Sequence, residues 1–310
     1  MTYPGWWALA LSESVKSDKG HAVVCEGAQI ALFRDATGAV FALEDRCAHR
    51  RVLLSPGPVV AGGLQCPYHG WTFDGASGQC TDIPNLRRDE PIGEKYAVRA
   101  YPAREAHGFV HVWRGGGEPD ARLPSAGTAP RGREYTGSAV VSLALSHYLD
   151  VMLDGPECLL SFAGVQITDF FLGDPRREDG YLLLDRGAVW QGRGAGPAFV
   201  RDHPLLVRTR VPLVGGTMTV TLLSAEEDEL VTVVIAASEN RRGTTSLCWR
   251  GFRHAQARPG MPLKARLAQA LGRAPFEVFA QIDGAAIAAL EVAPSLERQG
   301  ASFDRQRKLA

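Results

Sequence analysis

The chain has 310 residues, 45% of them hydrophobic and 22% charged, enough for about two globular domains with ample core. Lys plus Arg and Asp plus Glu are both 34, so no net charge draws the chain to nucleic acid or to an anionic membrane, and neither is an expected partner. No apolar run reaches the roughly 18 residues of a membrane span, and the stretch from Met1 to Trp7 has neither the charged region nor the apolar core of a secretory leader, so a cytoplasmic protein is predicted.

In chain order, His21–Cys25, Gln29–Phe33 and Val40–Leu43 read as short strands, with turns at Gly27 and at Asp35 to Gly38. After Thr72-Phe73 comes a turn through Asp74-Gly75 to Gly78, then strands near Tyr96–Tyr101 and Phe109–Trp113, so this part is a small antiparallel β domain over 1–115. His107 and His111 fall outside the cysteine-bearing loops, and His111 alternates with Val110 and Val112, which makes it a hydrogen-bonded strand histidine rather than a ligand. The Gly- and Pro-dense stretch 116–133 has little apolar periodicity and reads as a linker.

The second domain, 134–310, opens with a helix over Leu143–Leu153, whose Leu145, Leu149, Met152 and Leu153 recur at helical spacing before Gly155-Pro156 ends it. Strands are predicted at Tyr181–Leu184, Leu205–Val211, Thr217–Leu222, Leu230–Ala236 and Thr245–Phe252. In the third of these, Met218, Val220 and Leu222 alternate with threonines, the pattern of a strand with one buried face. Helices are predicted over Leu263–Leu271 and Phe276–Glu297, the latter with a stripe of Val278, Ile282, Ala285, Ala289 and Val292, giving an α+β domain. Of the six cysteines, Cys25, Cys80, Cys158 and Cys248 stand singly and read as small core residues.

Cys47-Ala-His49-Arg, sixteen residues from Arg50 to Gln65, and then Cys66-Pro-Tyr-His69-Gly-Trp71 carry the chemistry. Two thiolates suit an inner ferric iron and two imidazoles leave a second iron electron-poor, the known Cys2His2 arrangement of a raised-potential [2Fe-2S] cluster. Pro67 and Gly70 shape the second loop, and Trp71 begins an apolar run that covers the cluster. Zinc also takes two Cys and two His, but Cys-x-His is unusual for it and Tyr-His-Gly-Trp after Cys-Pro is no finger pattern.

These motifs, with Tyr3-Pro-Gly-Trp-Trp-Ala-Leu-Ala10 and Phe33-Arg-Asp-Ala-Thr-Gly38, resemble the catalytic (alpha) subunits of the Rieske non-haem iron oxygenases, in the branch of vanillate O-demethylase and dicamba monooxygenase. The resemblance implies an N-terminal all-β Rieske domain followed by an antiparallel-sheet, helix-grip (START-like) domain. Arg51 departs from it, standing where the family usually has glycine.

The family's second domain holds a mononuclear Fe(II) through two histidines and a carboxylate, on a helix reading Asp-x2-His-x4-His, and that Asp bridges to the neighbouring subunit's Rieske histidine. Carried over, the bridging residue is Asp150, but Leu153 and Cys158 stand at the two histidine positions, and Asp283 is a possible remnant of the carboxylate. A relocated site from His147, Asp150 and Asp154, with Glu157 and Cys158 near, is the competing arrangement on the same helix face.

The expectation is therefore a [2Fe-2S] oxidoreductase subunit whose own mononuclear Fe(II) is absent and which does not oxygenate alone. It would act in a mixed ring with a homologous subunit that keeps its iron, with a ferredoxin or flavin reductase as electron donor and a small organic substrate in the complex. A stand-alone oxygenase with an unusual metal site, and a non-redox scaffold or ligand-binding protein keeping the fold, are the alternatives.

Overall fold

A computed structural model describes residues 5–87, 90–123, 133–191, 205–213, 215, 217–254 and 261–290. It divides into two compact units, Met1–Pro124 with Ser238–Arg242, and Ser125–Ala237 with Gly243–Ala310. Half of the Gly- and Pro-rich stretch 116–133, residues 124–132, lies outside the described residues.

In the first unit three small antiparallel sheets enclose the core. Gly5–Leu11 pairs with Phe109–Arg114, which pairs with Ala103–Ala106. A second sheet runs His21–Cys25, Ala28–Arg34, Val40–Glu44, Ala100–Tyr101, and a third runs Val59–Val60, Gly63–Gln65, Thr72–Phe73, Cys80–Asp82. The strand at Gly5–Leu11 and the two-residue strands escape a pattern reading, because the first is apolar throughout and the others are shorter than any period. The turns are set by short polar side chains. Asp35 Oδ1 accepts from the N–H groups of Thr37 and Ala39 at 2.9 and 2.8 Å, and Asp74 Oδ2 from the Ser77 N–H at 2.7 Å. Gly78 must be glycine: its φ is +73° and a Cβ would lie 2.0 Å from the Val98 carbonyl oxygen.

The second unit has the predicted α+β, helix-grip character. Its large antiparallel sheet runs Glu134–Val141, Thr245–Arg253, Glu229–Glu239, Thr217–Leu223, Leu205–Pro212, Tyr181–Trp190, Val165–Leu172, with Arg176–Glu178 pairing the Tyr181 strand. Helix α1 spans Leu145–Asp154 and buries Leu145, Leu149, Met152 and Leu153, as its spacing implies, together with Tyr148 and Val151. Helix α2 spans Leu263–Ala270. The third predicted helix is corrected: Phe276–Val278 is a strand paired with Leu160–Phe162, and only Gly284–Ala289 is helical (α3). Phe276 and Val278 alternate about exposed Glu277, and Asp283 caps α3 by accepting from the Ala285 N–H at 2.9 Å, so Gly284 starts a new element. The stretch 291–297 lies outside the described residues.

The one-faced reading of Thr217–Leu222 is also corrected, since both faces of that strand are buried. Thr221 tolerates burial by pairing: its Oγ1 lies 3.4 Å from Thr232 Oγ1, which lies 2.8 Å from His254 Nε2.

Cys25, Cys80 and Cys248 are buried and Cys158 half-buried. Burial pushes the Cys25 thiol up to about 12 and raises Cys80 and Cys158 as well, so none of these three is poised as a thiolate. His111 is a strand residue as expected but not a satisfied one. It is fully buried, neither ring nitrogen has a well-formed hydrogen bond, and burial pushes it down to about 4 against a weak opposing pull from the Phe109 backbone. A folded pKa below the unfolded 6.5 means the unfolded chain takes up the proton first. Stability is therefore full above pH 6.5 and falls as pH drops toward about 4, by up to roughly 3 kcal/mol. His111→Leu should flatten the fall of the urea midpoint between pH 7.5 and 5, and a variant whose midpoint falls in step with wild type would exclude His111 as the titrating group.

Candidate functional site

The two cysteine-bearing loops share one backbone design. The Cys47 N–H donates to the Val52 carbonyl (2.9 Å) and the Cys66 N–H to the Trp71 carbonyl (2.8 Å), each five residues on. The two cysteine carbonyls accept from the residues four on, Arg51 (2.9 Å) and Gly70 (3.1 Å). Both of these residues lie in the left-handed region, with φ of 57° and 73°. That equivalence explains the departure at Arg51. The position needs left-handed backbone, which glycine adopts freely, and arginine holds it at a penalty of roughly 1–2 kcal/mol. Gly70 has less latitude, because a Cβ there would lie 2.9 Å from Pro84 Cγ.

The first loop is anchored from beneath by Asp45, a buried carboxylate whose Oδ1 accepts from the N–H groups of Leu54 and Ser55, both at 2.7 Å, and whose Oδ2 accepts from the Ser55 hydroxyl at 2.7 Å. Sequence reasoning passed over Asp45, although an acidic residue two positions before a predicted ligand cysteine is a visible signal for a loop anchor.

The loops bring all four predicted ligands together. Cys47 and Cys66 are 1% and 3% exposed, inside the hydrophobic core formed with Leu54, Leu64 and Phe73, whereas His49 and His69 are exposed. The imidazole centroids lie 4.8 Å apart. Trp71 stacks on His49 at 4.7 Å with planes 5° apart, and Tyr96 meets Trp71 edge-on at 5.2 Å, so the indole orients the first imidazole. Burial pushes the Cys47 thiol up to about 11, with the neighbouring Cys66 thiol adding to the rise. Such a thiol ionises only against a strong positive charge, which a metal cluster supplies. Desolvation, then the nearby His49 and Arg50, hold His69 below the usual imidazole value, in the neutral form a metal requires. Among the described residues no three His, Cys, Asp or Glu side chains close on a single ion. A binuclear cluster asks only two protein ligands of each iron, so the donor set fits a [2Fe-2S] group.

The predicted residues of the second unit are arranged differently. Leu153 is 1% exposed, in the apolar face of α1 with Tyr148, Leu149 and Met152, while His147 and Asp150 are half-buried on the same helix and Glu157 is exposed beyond it. Asp154 is held by Arg186 of strand Tyr181–Trp190 at 2.9 Å, with both side chains at most 10% exposed. Cys158 and Asp283 are brought close: the charge of Asp283 contributes, after burial and Glu157, to raising the Cys158 thiol. Asp283 itself is exposed and serves as the cap of α3.

The Rieske [2Fe-2S] domain family matches residues 5–102. Protein TIC 55, chloroplastic, of Arabidopsis thaliana is 36% identical over 205 residues, 64% of this chain and 36% of that protein. Oxidoreductase NdmD of Pseudomonas putida is 30% identical over 188 residues, 59% of this chain and 32% of its own length, so these matches span about a third of the relatives' lengths. The crystal structure of dicamba monooxygenase bound to dicamba superposes with a TM-score of 0.69 over 98% of this chain and 97% of that one, at 20% identity. Residues 5–102 therefore match a Rieske [2Fe-2S] domain, and the chain shares the fold of dicamba monooxygenase.

The two left-handed positions give a direct contrast. Arg51→Ala loses an exposed ion pair to Glu44 and should change stability by less than about 1 kcal/mol. Gly70→Ala adds both the left-handed penalty and the collision with Pro84, and should cost more than about 1–2 kcal/mol and reduce cluster content. Thermal midpoints and the visible absorption of the purified variants would separate the two, and equal losses would refute the account of the loops.

Proposed function

We propose that this chain is the electron-transferring Rieske subunit of a heteromeric oxygenase, with the catalytic iron in a homologous partner. Under this reading 1–115 is the redox domain and 134–310 an oxygenase-like domain without its iron. Cys47, His49, Cys66 and His69 would hold a [2Fe-2S] cluster, which when bound supplies one-electron transfer. The thiolates would lie on the buried side and the imidazoles at the surface, beside Tyr68, which is 56% exposed with its ring 3.8 Å from that of His69, an aromatic surface suited to a partner.

Leu153 is the observation that carries the reading. It is buried hydrocarbon at the position where the family pattern has its first iron-ligand histidine. The Asp154–Arg186 ion pair weighs against a relocated site at His147, Asp150 and Asp154, because it commits one of the three donors. A stand-alone oxygenase with an unusual metal site is favoured by one observation, the proximity of Cys158 to Asp283. The relatives support the subunit reading as far as their names go, NdmD being an oxidoreductase and NdmB of Pseudomonas putida CBB5 a fold neighbour at 17% identity and a TM-score of 0.60. A ferredoxin or flavin reductase would supply the electrons and a small organic molecule would be oxidised at the partner. No described helix is long and apolar enough to cross a membrane.

Anaerobically purified protein should contain two irons and two acid-labile sulfides per chain, and a third, tightly held ferrous ion would favour the stand-alone enzyme. Leu153→His with Cys158→His should raise ferrous-iron affinity if Asp283 serves as the carboxylate, and an unchanged affinity would remove Asp283 from that role. In co-purified complexes, His69→Ala or Cys66→Ser should sharply lower product per partner iron, whereas Asp150→Asn should cost assembly at most, through a hydrogen bond worth roughly 0.5–3 kcal/mol. Cluster variants that turn over like wild type would end the proposal.

A further inference from the structure

Helix α2 of the second unit carries apolar side chains that its own packing does not use. Leu263, Leu267 and Leu271, the last capping the helix, are 68%, 53% and 70% exposed. They recur every four residues and so form one stripe along the helix, while Ala265, 5% exposed, lies on the opposite side. The helix is seated by that opposite side and by its end. Ala265 lies against the turn at Gly164, where a Cβ would be 3.0 Å from the Ala265 Cβ, and the Tyr135 hydroxyl donates to the Gly272 carbonyl at 3.1 Å. The leucine stripe points away from these contacts.

The charge around the stripe has one sign. Acidic and basic residues balance over the whole chain, yet no Asp or Glu occurs between Glu239 and Glu277. Lys264 and Arg266 flank the stripe on its two sides, Arg273 follows the helix, and all three are exposed. Arg133 reaches the same end of α2: its guanidinium lies over the Tyr135 ring at 5.3 Å, and one of its nitrogens is 2.6 Å from where a Gly272 Cβ would stand. Among the described residues none of these four cations has an ion pair. A stripe of three leucines covers much less than the roughly 1,000 Å² that a stable interface between two copies buries, and a second copy would set Lys264 and Arg266 against like charge. A surface of anionic lipid answers both features, since its interface takes up the hydrocarbon and its headgroups pair with the cations. At eight residues α2 is too short to cross a bilayer, which takes about 20, so it would lie along the surface.

We propose that α2 docks the second unit reversibly on an anionic lipid surface, with Leu263, Leu267 and Leu271 entering the interface and Lys264, Arg266 and Arg273 at the headgroups. The inference goes beyond the electron-transfer reading and is independent of it, since docking requires neither the cluster's electrons nor a partner subunit.

The test is co-sedimentation of the full chain with vesicles of phosphatidylcholine alone and of phosphatidylcholine containing one third phosphatidylglycerol. The chain should bind the anionic vesicles at least about ten-fold tighter than the neutral ones, and the difference should shrink as salt rises. Leu267→Gln with Leu271→Gln should weaken binding at least about five-fold. Its thermal midpoint should match wild type, because both side chains are already exposed. Leu172→Gln, at a side chain 45% exposed on strand Val165–Leu172, should bind like wild type. Lys264→Glu with Arg266→Glu should abolish the preference for anionic vesicles. No binding to either vesicle, equal binding to both, or unchanged binding in the leucine variant would each overturn the proposal. So would a wild-type dimer, seen by light scattering, that the leucine variant converts to a monomer, since the stripe would then join two copies. Iron and sulfide content measured on the same samples reports on the redox reading separately.

Discussion

The organisation of the first unit rests on one requirement, that two loops, whose Cys-His pairs are separated by sixteen residues, both bury their cysteines. Each loop is closed by the same pair of backbone hydrogen bonds about its cysteine, so the two tips are built to one pattern. Much else follows from holding them in register. Asp45 spends its carboxylate on the backbone of Leu54 and Ser55, which fixes the end of the first loop. Gly57 lies so close to the Gln65 carbonyl, 1.9 Å from a would-be Cβ, that the chain leaving the first loop must run against the strand entering the second. The buried thiols then share the core with Leu54, Leu64 and Phe73, and the imidazoles are left at the surface.

The second unit is governed by a different balance, the placing of charge on an otherwise apolar sheet face. A buried ion pair contributes little net stability over a hydrophobic equivalent, yet removing one partner leaves a buried charge costing about 3–5 kcal/mol. Asp154 and Arg186 are bound together by that asymmetry, and they fix the C-terminal turn of α1 to the sheet. Arg253, at the end of strand Thr245–Arg253, avoids the same penalty by staying only half-buried.

How much of this was legible beforehand depended on the length scale of each signal. The two Cys-His pairs were legible because a cluster-binding pattern demands particular residue types at short spacing. Helix α1 and the long strands were legible because their apolar period repeats several times. Phe276–Val278 was misread because Phe276, Val278 and Ile282 fit a helical stripe as well as they fit a strand followed by a cap, and three residues cannot decide between the periods. The buried threonine face was misread because hydroxyl pairing with a neighbouring strand is invisible in one strand's sequence. Arg51 was noticed as a departure, but its explanation required the φ angles of both loops.

His111 supplies an internal measure for the position of Leu153. A buried imidazole with no well-formed hydrogen bond is held near pKa 4 in this chain, so such a side chain is neutral and destabilising below pH 6.5. A histidine at 153 without a metal would enter comparable surroundings, packed among Tyr148, Leu149 and Met152 at 1% exposure or less for the first and last of these. Leucine there instead gains roughly 1.5–3 kcal/mol from burial and asks for no partner. Tyr148 already strains this region, its hydroxyl buried without a hydrogen bond and its ionisation suppressed by burial. One unsatisfied polar group on α1 is tolerable, and each further one costs about 1–3 kcal/mol. Leucine at 153 and a paired carboxylate at 154 are therefore mutually reinforcing choices: one buries hydrocarbon in the apolar face of α1, and the other ties its last turn to the sheet.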